Sequence, residues 1–146
     1  MNLIEEHKKK YAILYEITGE AMRVHAKYKY GLLESAYQAA LKYLLELKGF
    51  KVDDQVSVPM YWEDVKLDKS YRLDLVINQN IIIELKATNG TGSEHRRQLL
   101  NYMNLTHLPF GMILNFGMKH LYFEWYVRDE ETGEIEKIER MERPAS

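Results

Sequence analysis

The apolar positions along the chain fall into two regimes. Over residues 4–28, Tyr11, Leu14, Tyr15, Thr18, Met22 and His25 recur at three- and four-residue steps, and the spacing predicts one helix with one face to bury. Gly19 interrupts that stretch at a cost of about 1 kcal/mol relative to Ala, which points to a close helix contact there. The segment 27–31 breaks the pattern, and Gly31 is a plausible turn residue. A second helix is expected over 32–47, with Tyr37, Leu41, Leu44 and Leu45 on its apolar side and Gly49 placed to end it.

The period then drops from about 3.6 to about 2. Val56, Val58 and Met60 alternate with Ser57 and Pro59, predicting a strand that Pro59 confines to a sheet edge. Residues 62–69 are polar and offer no evident tight turn, so they read as a connection. Two apolar runs, 71–77 and 81–87, flank Asn78-Gln79-Asn80 and predict a hairpin. Ser93 can cap a third helix over 94–105, with Leu99, Leu100 and Met103 inward and Pro109 beyond its end. The compact run 112–116 suits a strand covered on both faces, and 121–127 gives one more. This order predicts an α/β fold, a mixed β-sheet flanked by helices, over 1–128. The charged segment 129–146 is either a tail or a terminal hairpin around Thr132-Gly133.

Composition narrows the chemistry. The 146 residues fit one domain. The absence of cysteine excludes disulfides, thiolate zinc sites, iron–sulfur clusters and cysteine nucleophiles together. A net charge of −2 gives no global basic field, so a nucleic-acid partner would have to be met locally. No apolar run approaches the roughly 20 residues of a membrane span, and the first residues lack a signal-peptide core. A cytoplasmic protein without a membrane partner is expected.

The informative chemistry lies in the expected hairpin. Alternation puts Asp74 on one face of its strand, and Glu84 with Lys86 on one face of the next. A turn centred on Gln79 sets Asp74 opposite Glu84; a slip of one residue would send Asp74 to the other side. Facing carboxylates repel, and burial drives one of them to take up a proton. A divalent cation relieves this, and hard oxygen ligands without histidine or cysteine suit Mg²⁺ or Mn²⁺. Lys86 could then hold or activate a water for attack on a phosphodiester. The plainer alternative is a solvated strand face, with Arg72 and Lys86 neutralising the acids unaided.

Elsewhere, Gly90-Thr91-Gly92 lacks the Gly-Lys-Ser/Thr of a phosphate loop. The five histidines have no metal-ligand spacing, and His25 reads as a helix-packing residue. Arg96 and Arg97 are either solvated charge or contacts to a phosphate backbone.

Taken in order, Gly31-Leu-Leu-Glu34-Ser-Ala-Tyr37, Tyr71-Arg-Leu-Asp74, Ile-Ile-Ile-Glu84-Leu-Lys86, Gln98-Leu-Leu-Asn-Tyr102 and Gly111-Met-Ile-Leu-Asn-Phe-Gly117 resemble the GxxExxY family of the PD-(D/E)xK nuclease superfamily. Lys29-Tyr30-Gly31 replaces that family's usual Gly-Pro-Gly turn. The resemblance implies a restriction-endonuclease-like fold and a metal-dependent nuclease acting on DNA or RNA, DNA being favoured; the small size and near-neutral charge favour a partner or a homodimer to complete the substrate groove. It implies Asp74, Glu84, the Leu85 carbonyl and Glu34 as metal ligands, and Lys86 and Gln98 in the catalytic group. Tyr37, Tyr102, Arg96 and Arg97 would meet the substrate, although core packing is an equal expectation for the two tyrosines. The rival is an idle nuclease fold that binds nucleic acid or protein without cleaving it.

Overall fold

The computed structural model describes residues 2–139. Two helices, α1 (Leu3–Lys10) and α2 (Ala12–Tyr28), stand where one was expected, because Tyr11 leaves helical geometry at φ −115° and ψ 33°. The bend brings His7 to the hydroxyl of Tyr15 (2.8 Å) and to the carbonyl of Glu139 (3.1 Å). The buried stripe of α2 is Leu14, Ile17, Ala21 and Val24, whereas Met22 is exposed. Gly19 faces outward, and a side chain there would meet nothing within 4 Å, so it serves no close contact. His25 is a packing residue, its Nε2 bonded to the Met118 carbonyl at 2.8 Å.

After α3 (Glu34–Leu47) comes a long hairpin of β1 (Val52–Trp62) and β2 (Val65–Ile77). The sequence hid its turn, because Glu63 and Asp64 form it with Glu63 at φ 52°, where glycine or asparagine is the usual signal. The sheet continues through β3 (Ile81–Lys86), β4 (Phe110–Asn115), β5 (Tyr122–Arg128) and β6 (Ile135–Lys137), with α4 (Ser93–Thr106) linking β3 to β4. Spatial order follows chain order, and β1 is an edge. Only β3 and β4 run parallel; the other neighbouring pairs are antiparallel. This six-stranded mixed sheet flanked by four helices is an α/β architecture of restriction-endonuclease-like type.

The alternation in β3 divides the molecule into layers. Ile81, Ile83 and Leu85 join α2 and α3 residues Leu14, Ile17, Tyr37 and Leu41 in one core. Ile82 joins Leu99, Tyr102 and Met103 of α4 in the other. Gly111 makes the second layer possible: a Cβ there would stand 2.6 Å from Met103 Sδ. Segment 129–139 turns back as a hairpin, with Gly133 at φ 76° and β6 paired to β5; Ile138 enters the first core, and residues 140–146 lie outside the described residues. No helix among the described residues is long and apolar enough to cross a membrane.

Candidate active site

β2 and β3 pair as Leu75↔Ile83, Val76↔Ile82 and Ile77↔Ile81, the register centred on Gln79. The ladder stops one pair short of Asp74 and Glu84. On the other side of β2, the β1–β2 ladder skips Gln55 opposite Asp74, and Gln55 sits at φ 49°. Asp74 thus occupies a break in both ladders, and its groups find other partners. Its Oδ2 accepts the Leu85 N–H at 2.9 Å, and its carbonyl accepts Gln38 Nε2 at 3.3 Å. At this break Leu73 enters the α4 core, away from Leu75, so the single apolar face expected for β2 does not persist past Asp74.

Glu84 is 3% exposed at the end of β3, and Lys86 Nζ lies 2.9 Å from its Oε1. Burial first, and then the neighbouring Asp74 charge, push the Glu84 carboxyl up to about 7 against the pull of Lys86. Asp74 is also raised by burial, with the Leu85 N–H and Lys86 opposing. Burial would lower Lys86, but the hydrogen bond and charge of Glu84, with Glu34 and Asp74, outweigh it and keep the ammonium charged. The site therefore holds closely coupled acids that resist ionising together, with one cation against them.

Glu34 opens α3 and is exposed; burial raises its carboxyl, Lys86 lowers it and Asp74 raises it, which places it within electrostatic reach of the site. The sequence around it now has a physical reading. Gly31 takes φ 112°, a conformation that disfavours other residues. Tyr37 is fully buried against Phe116, and its hydroxyl donates to the Lys29 carbonyl (2.5 Å) and accepts the Leu32 N–H (3.1 Å). Tyr37 therefore fastens the loop that delivers Glu34, and its placement is that of a packing residue rather than a substrate contact.

From the α4 side, Gln98 Nε2 donates to the Tyr102 hydroxyl at 2.7 Å, and Tyr102 feels the charges of Glu84, Asp74 and Lys86. Arg96 is committed elsewhere. It forms a forked pair with Glu124, which is buried and also receives the hydroxyls of Tyr122 (2.5 Å) and Tyr126 (2.6 Å). Burial of Glu124 is overridden by these donors, which hold its carboxyl at about 2. Arg96 thus pins α4 to β5, whereas Arg97, one residue on, is exposed. No described residue pairs with Arg97 in a salt bridge.

Three supporting residues escaped the sequence reading. Gln38 reaches the Asp74 carbonyl; its four-residue spacing from Glu34 on α3 was the available signal. Asn115 is fully buried and binds Thr88 N, Gly117 N, the Gly90 carbonyl and Thr91 Oγ1, shaping the loop after Lys86. His95, beside Lys86, is depressed by burial and by that ammonium, and its Nδ1 is buried without a partner among the described residues.

Among the described residues, no three His, Asp or Glu side chains converge as a ready metal-binding group. The donors still fit a hard divalent ion in kind. Asp74 Oδ1 and Glu84 Oε2 accept none of the hydrogen bonds or ion pairs described, and Mg²⁺ is commonly held by one or two carboxylates completed by water and substrate phosphate. Glu34 stands near these acids without joining them in such a group.

A search of the curated proteins and one of the solved structures gave no match. The family model described as the PD-(D/E)XK nuclease superfamily matches residues 11–126, a span holding Glu34, Asp74, Glu84, Lys86, Gln98 and Tyr102. The chain belongs to the PD-(D/E)XK nuclease superfamily.

Proposed function

We propose that this protein is a Mg²⁺- or Mn²⁺-dependent nuclease that hydrolyses phosphodiester bonds in DNA, or in RNA, and that it belongs to the GxxExxY group of its superfamily. The observation that carries the reading is the closure of Asp74, Glu84 and Lys86 on the end of β3, with Lys86 Nζ 2.9 Å from Glu84. The roles of Gly31, Glu34 and Tyr37 in one fastened turn support the narrower assignment. A divalent ion, when bound, supplies Lewis acidity to the scissile phosphate.

The chain's own residues do the rest. Asp74 and Glu84 would hold the ion, with the Leu85 carbonyl as a further donor, and Asp74 is fixed for this by the Leu85 N–H and Gln38. Lys86 keeps its proton, so it orients the attacking water and stabilises charge developing on phosphate oxygens. Gln98 and Tyr102 form a hydrogen-bonded pair along the α4 wall that can position the strand. Arg97 is placed to meet its backbone.

Cleavage of plasmid and single-stranded substrates with Mg²⁺ or Mn²⁺ tests the reading against Glu84→Ala and Lys86→Ala. Cleavage by the wild type alone supports it. Equal cleavage by all three proteins refutes it, and nucleic-acid binding without cleavage by any of them supports an idle binding module instead.

A further inference from the structure

β2 pairs with β3 only over residues 75–77, so the hairpin of β1 and β2 runs on past the candidate site as an arm. Its tip displays Tyr61 at 58% exposure, Trp62 at 71% and Val65 at 62%. Large exposed aromatics on a protruding element are a mark of recognition rather than of packing. At its root the arm carries Asp74. Just beyond, Tyr71 packs edge-on against Tyr102 at 5.8 Å, and Lys69 Nζ lies 5.2 Å from the Tyr71 ring. Lys66 and Arg72 are exposed along the same strand, and Tyr61 stands opposite Lys66 in the ladder.

We propose that this arm grips the nucleic acid being cut: its strand runs from the acids past Tyr71 and Lys69, and Trp62 stacks on an unpaired base near the tip. The substrate class is therefore a single strand, or a duplex with a frayed or unpaired segment. This rests on the nuclease reading for the identity of the partner. The reach is adequate, since the seven residue-to-residue steps from Val65 to Arg72 extend roughly 23 Å at about 3.3 Å each. That is about seven steps at the ~3.4 Å per-strand rise of duplex DNA, and fewer for a strand whose bases are unstacked.

Two features disfavour a second copy of the chain as the occupant. Pro59 on β1 removes an edge N–H, and the ladder shifts register between Pro59 and Tyr61; both are devices that blunt strand-to-strand pairing. The charge balance also sets the mode of binding. Lys66, Lys69 and Arg72 are offset by Glu63, Asp64 and Asp68, so stacking rather than a basic field provides the hold. These three cations add no more than about −2 to the salt slope for a single strand.

The test is anisotropy of a short labelled oligonucleotide, single-stranded or fully paired, titrated in EDTA with wild type, Trp62→Ala and Trp62→Phe. Trp62 is exposed and the second tryptophan, Trp125, is 4% exposed, so quenching of the wild-type emission reports on the tip. The expected result is single-strand binding weakened roughly 5- to 150-fold in Trp62→Ala, the worth of one stacked base. Trp62→Phe should retain most of it, and the single strand should quench Trp62. Unchanged affinity in Trp62→Ala, no binding by the wild type, or wild-type self-association abolished by Trp62→Ala would each overturn the proposal. Because EDTA prevents cleavage, the two readings fail separately. Trp62-dependent binding without metal-dependent cleavage leaves the arm and removes the nuclease; cleavage with Trp62-independent binding does the reverse.

Discussion

Glu84→Gln in the metal-free protein isolates the strain that the site holds. Glu84 is 3% exposed, and burial with the Asp74 charge raises its carboxyl from an ordinary 4.5 to about 7. A difference near 2.5 units at about 1.4 kcal/mol each amounts to ~3 kcal/mol. The sign follows from proton uptake. Below about pH 4.5 the folded and unfolded chains both hold the proton and stability is complete. Between about pH 4.5 and 7 the unfolded chain ionises first, and stability falls until the folded carboxyl also ionises. Asp74 and Glu34 are raised as well and slope the same way, whereas His95 is lowered and slopes the other way. Glu124 titrates near 2 and leaves this window flat.

Comparing Glu84→Gln with wild type removes those shared contributions. The pairing with Lys86 is already contained in the folded value of about 7, and that ammonium stays charged throughout the window. Urea unfolding in EDTA should therefore show the wild type losing ~3 kcal/mol more than Glu84→Gln between about pH 4.5 and 8. In thermal unfolding the difference is roughly 6–12 °C for a chain of this size. Parallel pH profiles for the two proteins would refute the reasoning.

Other consequences are equally direct. Arg96→Ala leaves Glu124 buried beside two tyrosine hydroxyls without its cation, and denaturant titration should find a loss of about 3–5 kcal/mol. Gly117→Ala puts a methyl 2.3 Å from the Thr88 backbone nitrogen, so unfolding should show a loss of about 1–3 kcal/mol; wild-type stability would mean that the Ala87–Thr88 backbone moves aside freely. Tyr37→Phe removes both ties to the Lys29–Leu32 loop, for a loss of about 1–3 kcal/mol, with nucleic-acid affinity under saturating metal unchanged; a large affinity loss at unaltered stability would restore Tyr37 as a substrate contact.

The mixed sheet flanked by helices and the β2–β3 register were legible because alternation in β3 is unbroken from Ile81 to Lys86 and Asn78-Gln79-Asn80 marks its turn. The grouping of Asp74 with Glu84 and Lys86 was legible for the same reason. What escaped detection depended on departures from pattern. The Glu63-Asp64 turn carries no glycine or asparagine, so the arm read as a connection. Tyr11 interrupts a helix without a proline or glycine to announce it. The ladder break at Gln55 and Asp74 carries no glycine or proline to mark it, and with it went Leu73 and the part played by Gln38. Arg96 could not be separated from Arg97 by sequence, since only the fold brings Glu124 on β5 beneath one of them.

The central claim is that Asp74 and Glu84 share one divalent cation. Calorimetric titration of Mn²⁺ into the wild type, Asp74→Asn and Glu84→Gln tests it most directly. The account predicts saturable binding by the wild type, with proton release as pH falls toward 7, and loss of that binding in both variants. Identical isotherms for all three proteins would contradict it.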